Sequence, residues 1–190
     1  MLSQAREMGT NNHLLWAILF WIGMILLYFS STLNHALPIG SKGKDFFHNF
    51  DQISIYFFIA GTFTPLCLIA LDGVRKWGWL LGEWGLAIIG ILFKSFRRTD
   101  FENGVKNFIL ISYAIMGSMM FFLIFPLSEI VTTSCIILLC IWCILYGAWV
   151  IAFKLERLKY AHLVRHLVVL WGSFIHFFAI SHYILPLELI

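Results

Sequence analysis

Six apolar runs, each close to the length of a membrane crossing, divide this chain, and no other feature limits its fold as much. The hydrocarbon core of a bilayer is about 30 Å thick, which an α-helix crosses in about 20 residues. The runs cover residues 14–37, 53–71, 77–93, 108–125, 130–153 and 162–187. In lipid every backbone N–H and C=O must find its partner within the span, so such runs form helices. Gly61 and Pro65 in the second run do not forbid one, because neighbouring helices re-satisfy the freed groups. Composition agrees, with 61% of the residues hydrophobic and 12% charged, against about 25% charged in soluble domains. The expected fold class is an all-α integral membrane protein, a six-transmembrane-helix bundle. No linker or low-complexity stretch interrupts it, so residues 1–190 read as one domain.

The charges lie between the runs. Lys and Arg outnumber Asp and Glu by only 13 to 10 and fall in short clusters, a pattern of membrane loops and not of a nucleic-acid surface. Cytoplasmic loops are enriched in Lys and Arg. One side of the bundle carries nine of them, Lys42, Lys44, Lys94, Arg97, Arg98, Lys106, Lys154, Arg157 and Lys159, and the other carries Arg6, Arg75 and Lys76. The first side is therefore expected in the cytoplasm and both termini outside. Cys67, Cys135, Cys140 and Cys143 all sit inside apolar runs, where thiols serve as small buried hydrophobes and no disulfides are expected.

On that topology, ionisable residues far apart in sequence meet at the cytoplasmic level. His35 ends the first span, Asp51 opens the second, and His162 and His166 open the sixth. The two last are four residues apart, so both imidazoles leave the same helix face, the spacing used when two histidines hold one metal. Ser31 and His35 share that spacing. A third nitrogen from His35 would complete a three-histidine site, and zinc with three protein ligands keeps a position open for water. Asp51 would then accept a hydrogen bond from that water or steady a ligand. Taken singly, interfacial histidines more often bond headgroups or backbone; their convergence raises the metal reading without deciding it.

The segments "SSTLNHAL", "FDQISIYFFIAGTFTPLCLIALDG", "GILFK" and "HLVRHLVVLWGSFIHFFAI", in this order, resemble the signatures of the haemolysin III family, the bacterial branch of the progestin and adipoQ receptor superfamily. The resemblance spans nearly the whole chain. It implies a seven-helix fold in a bacterial inner (plasma) membrane, with a zinc ion near the cytoplasmic face held by an SxxxH and an HxxxH motif. Carried over to this chain, the ligands are His35, His162 and His166, with Ser31 and Asp51 beside the metal's water. It also implies a zinc-dependent hydrolase of a lipid amide or ester, with membrane lipids as partners and one of them as substrate. The alternative is a receptor-like, channel or cytolytic protein in which zinc only staples helices.

Two departures from the family pattern bear on the site. Asp51-Gln52 stands where Asp-His is usual, which removes one nearby imidazole, and Phe63 stands where Tyr is usual. The family's first helix is also missing ahead of residue 14, so either an upstream segment supplies it or the protein associates with itself to cover the gap. Two further polar residues lie inside the spans. His176 is ten residues beyond His166, about 15 Å deeper and about 80° around the helix, and is expected to bond a neighbouring helix and not the metal. Glu83 lies about 10 Å inside the third span, either lining a polar path or facing the bundle.

The charge count generates an orientation test. In a cysteine-free background, an impermeant thiol reagent is expected to label Ser128→Cys from outside the cell, and Gly104→Cys or Gly43→Cys only after permeabilisation. Labelling in the opposite sense would put the histidines on the external face.

Overall fold

The computed structural model describes residues 11–97, 103–154 and 161–187, for a few of which, His162 among them, only the backbone is described. Among the described residues six α-helices follow one another: α1 (Asn11–Ala36), α2 (Lys42–Ala70), α3 (Gly73–Phe96), α4 (Asn103–Leu127), α5 (Thr133–Lys154) and α6 (Ala161–Ala179), the last running into a π-helical turn at Ile180–Ile184. The protein is an all-α membrane bundle. Five of the helices have the length and apolarity of a membrane span, and the apolar stretch of α5, Thr133–Trp149, is shorter.

The largest departure from the expected boundaries is the start of α2, which begins at Lys42 and not near residue 53. The stretch before residue 53 is too polar to read as a span, yet it is helical for local reasons. Pro38 and Gly40, the latter with φ of 85°, turn the chain after α1. Ser41 then caps the new helix, its hydroxyl accepting from Lys44 N at 3.1 Å, and an acidic residue, Asp45, sits in the first turn where the helix dipole favours it. Asp51 therefore lies well inside α2 instead of opening it.

Helix α2 is the axis of the bundle. Of its apolar window 78% is buried, against 22–33% for the other four spans. Between helices in lipid there is no hydrophobic driving force, so close packing and interhelical hydrogen bonds must hold them. Small residues supply the first. A Cβ built at Gly61 would lie 3.5 Å from Leu19 O, and one at Gly23 would lie 3.4 Å from Phe58 Cα, so α1 and α2 approach backbone to backbone. Polar side chains supply the second. Ser30 and Ser54 hydroxyls meet at 2.9 Å. Tyr56 OH and Ser112 Oγ meet at 2.6 Å, and Tyr113 OH donates to Gln52 O at 2.6 Å, tying α4 to α2. Trp84 Nε1 donates to Thr64 Oγ1 at 3.0 Å and ties in α3.

Helix α6 is held by His176. Pro65 has no N–H to give to Gly61 O, and at the next residue His176 Nε2 reaches Thr62 O at 3.1 Å. Since a carbonyl only accepts, Nε2 carries the proton. The ring is fully buried, stacked on Phe20 at 6.2 Å and packed against Trp142 at 4.6 Å. The expected interhelical role is the one found. Glu83 is also fully buried and both its oxygens have no hydrogen-bond partner among the described residues, so it faces the packed bundle. All four cysteines are free thiols.

Packing is close where α3 crosses α2. A Cβ at Gly90 would collide with the ring of Tyr56, whereas one at Gly78 on the same helix would meet nothing within 4 Å. Gly90→Ala is expected to cost about 1–3 kcal/mol of stability through overpacking. Gly78→Ala should be neutral or stabilising by up to about 1 kcal/mol. Thermal unfolding in detergent measures both, and equal melting of the two variants would contradict the crossing.

Candidate functional site

The site builds up at the end of the bundle where α1 stops, α2 starts and α6 begins. Asn34, one residue before His35, is 5% exposed. Its backbone carbonyl accepts from Lys44 Nζ, and its side-chain Nδ2 donates to Asp51 Oδ2 at 2.9 Å. The last turn of α1 is thereby clamped to the first turns of α2, and Asp51 has one oxygen engaged and its plane set. His35, the next residue, is exposed on the site. Across from it the His166 ring of α6 stands edge-on, 5.1 Å between centroids and 90° between planes. Helices α1 and α6 are also joined deeper in the bundle, where Tyr28 OH donates to Ser173 Oγ at 2.9 Å.

Four of the five residues singled out in the sequence are thus described, and they come together. Ser31, His35, Asp51 and His166 all line one cavity, and Asp51 lies within electrostatic reach of both histidines. The side chain of His162 lies outside the described residues; its backbone is the second residue of α6, one turn before His166.

One member was missed. His48, three residues before Asp51 on α2, lines the same cavity and interacts electrostatically with Asp51. Its Nε2 accepts from Gln52 Nε2 across one helical turn, at 3.4 Å. Placing the helix start near residue 53 left His48 in a loop; the signal that could have found it was the capping sequence at Ser41, which makes residues 48, 51 and 52 near neighbours on one helix.

Whether these residues suit a zinc ion can be asked of their geometry. Two imidazoles bound to one tetrahedral zinc at 2.0–2.1 Å place their ring centres about 5 Å apart. His35 and His166 have that separation. Among the described residues no three His, Cys, Asp or Glu side chains form a metal-holding group; the side chain of His162 is not among them. The donor chemistry, imidazoles with a carboxylate close by, fits zinc.

The cavity itself is large, about 2290 Å³, and every helix contributes to its wall. Polar residues crowd the end just described. Farther along, the wall is apolar and aromatic, including Ile59, Leu110, Phe121 and Leu170.

Comparison with known proteins gives a family match. The family model described as haemolysin-III related matches residues 1–177. A relative named Hemolysin-3, from Bacillus cereus, is 38% identical over 189 residues, covering 98% of this chain and 83% of its own length. Another, named Hemolysin-3 homolog, from Bacillus subtilis (strain 168), is 36% identical over 168 residues, 87% of this chain and 75% of its own. No solved structure matches the chain.

The separation of His176 from the site has its own test. His176→Leu removes the bond to Thr62 O and is expected to destabilise the protein by about 1–3 kcal/mol, while leaving its metal content equal to that of the unaltered protein. Loss of metal from a variant that still elutes as a folded species would join His176 to the site.

Proposed function

The chain belongs to the haemolysin III-related family, and on that premise we propose that it is a multi-pass membrane hydrolase, zinc-dependent and acting on a lipid amide or ester. The observation that carries the proposal is the pairing of His35 with His166 at 5.1 Å beside Asp51, at the polar end of a cavity whose far wall is apolar. His35, His162 and His166 would hold the ion. A zinc ion there supplies Lewis acidity toward a carbonyl oxygen and activation of water at neutral pH.

The remaining work falls to the chain's own residues. Asp51 holds and transfers a proton: Asn34 occupies Oδ2, and Oδ1 accepts from a water or from the substrate. Ser31, one turn before His35 on the same helix face, offers a hydroxyl that orients the water or the substrate carbonyl. The apolar wall binds the acyl chain, which holds the scissile group in place and keeps bulk water from the site.

A zinc that only pins α1 to α6 is the competing reading, favoured by the position of His35 and His166 on those two helices. The two make different demands on Asp51. Purified protein is expected to carry about one zinc per chain, with most of it lost in His35→Ala, His162→Ala and His166→Ala, since three ligands leave little redundancy. Asp51→Asn is expected to keep its zinc and to lose hydrolysis of a fluorogenic lipid amide or ester by about 100-fold. Zinc retained by all three histidine variants would end the metal reading; full activity in Asp51→Asn would end the role given to that carboxyl.

A further inference from the structure

An unbroken aromatic track joins the lipid-facing side of the bundle to the cavity. Phe29 of α1 is 55% exposed and stands about two turns inside that helix's apolar run, so its ring faces acyl chains. Phe47 of α2 meets it edge-on at 6.3 Å, Phe46 meets Phe47 edge-on at 5.2 Å, and Phe50 stacks on Phe46 at 5.9 Å. Phe46 and Phe50 are four residues apart on one face of α2, and both line the cavity. Phe46 is at the same time 61% exposed. A side chain that lines a cavity and keeps most of its surface outside stands at the mouth. A single exposed phenylalanine is ordinary on any protein; four in ring contact, leading from acyl-chain level to a mouth, form a surface. The same turns of α2 carry Lys42, Asp45, His48 and Asn49, too polar for hydrocarbon, and this mixture is that of a helix seated at the headgroup and acyl boundary.

We propose that Phe46, Phe47 and Phe50 are the loading edge of the cavity, over which an acyl chain of a lipid in the adjoining leaflet passes from the bilayer to the apolar wall. The proposal rests on the hydrolase reading for what the route serves, and stands without it as a route of lipid binding. A bilayer lipid is the occupant because the track is continuous with a surface that already faces lipid. An acyl chain crossing it exchanges one apolar surface for another and meets no water on the way. A water-soluble substrate would gain nothing from such an edge.

Two measurements on full-length protein in phosphatidylcholine vesicles test it. In a cysteine-free background, a nitroxide on Phe46→Cys is expected to be relaxed more by oxygen, which dissolves in the bilayer, than by a water-soluble nickel chelate, as is one on Phe122→Cys of the exposed face of α4. Stronger relaxation by the chelate would put the edge in water and overturn the route. In the second, phosphatidylcholine with a diazirine in one acyl chain is delivered by cyclodextrin exchange and flashed at increasing delays, and labelled residues are read by mass spectrometry. The rate at which Ile59 and Leu110, buried residues of the cavity wall, become labelled relative to Phe122 reports loading. Phe46→Asp is expected to lower that rate about ten-fold, because a carboxylate repels acyl chains, with Phe122 labelled as before, and Phe46→Leu is expected to preserve it. A rate unchanged in Phe46→Asp, or lowered as far by Phe46→Leu, would overturn the edge, and an unlabelled cavity in the unaltered protein would overturn the lipid as what crosses it. Because no turnover is read, the outcomes separate: loading slowed by Phe46→Asp in a protein that hydrolyses nothing upholds the route and sinks the hydrolase, and hydrolysis with unslowed loading does the reverse.

Discussion

The structure depends on how α2 is bonded to its neighbours. Lipid tails are as apolar as leucine, so burying an apolar side chain between two membrane helices gains little, and the bundle must be assembled by close packing and polar bonds. In this protein those bonds converge on one helix. Ser54, Gln52, Tyr56, Thr62 and Thr64 of α2 each engage a residue of another helix. Such bonds average about 0.6 kcal/mol apiece in membrane proteins, so no single one sustains the fold. Their concentration on the most buried helix fixes its rotation, and with it the direction in which its polar residues project.

That rotation is what makes a site. The same helix that gives Ser54 to Ser30 gives Asp51 to Asn34, less than one turn away. The clamp between α1 and α2 therefore continues directly into the site's floor. Helix α6 arrives by two independent bonds, Tyr28–Ser173 and His176–Thr62, and these set the height at which His166 faces His35. The polar end is thus the exposed terminus of a hydrogen-bonded framework that runs through the bundle.

Histidine shows how position decides role on one helix. His166 and His176 share α6, but one faces a cavity beside another imidazole and a carboxylate, and the other is enclosed by Phe20 and Trp142 with a carbonyl as its partner. The first can exchange protons or ligands with the cavity. The second is a fastening, because a buried imidazole is retained only where its N–H is bonded. Glu83, buried with both oxygens unpaired among the described residues, belongs with neither.

The sequence by itself determined the class of fold, because the length of an apolar run is a direct measure of a membrane crossing and needs no partner to be read. It also brought His35 and His166 to one membrane level, though not ring to ring. Counting spans alternates the ends of the bundle, and the alternation brings the end of α1 and the start of α6 to one level. The HxxxH spacing then follows from helical geometry alone. The start of α2 was partly concealed, since its first turns are too polar for a span and only the capping at Ser41 marks them as helix; with them went His48. Only the tertiary structure decided which polar residues face inward together: that Asn34 holds Asp51, that His176 closes onto Thr62 O, and that lysines of α2, α3 and α4 line one cavity. The physical reason is that helix rotation and tilt are set by interhelical contacts between residues distant in sequence, and a single chain's periodicity carries no record of which neighbour each face will meet.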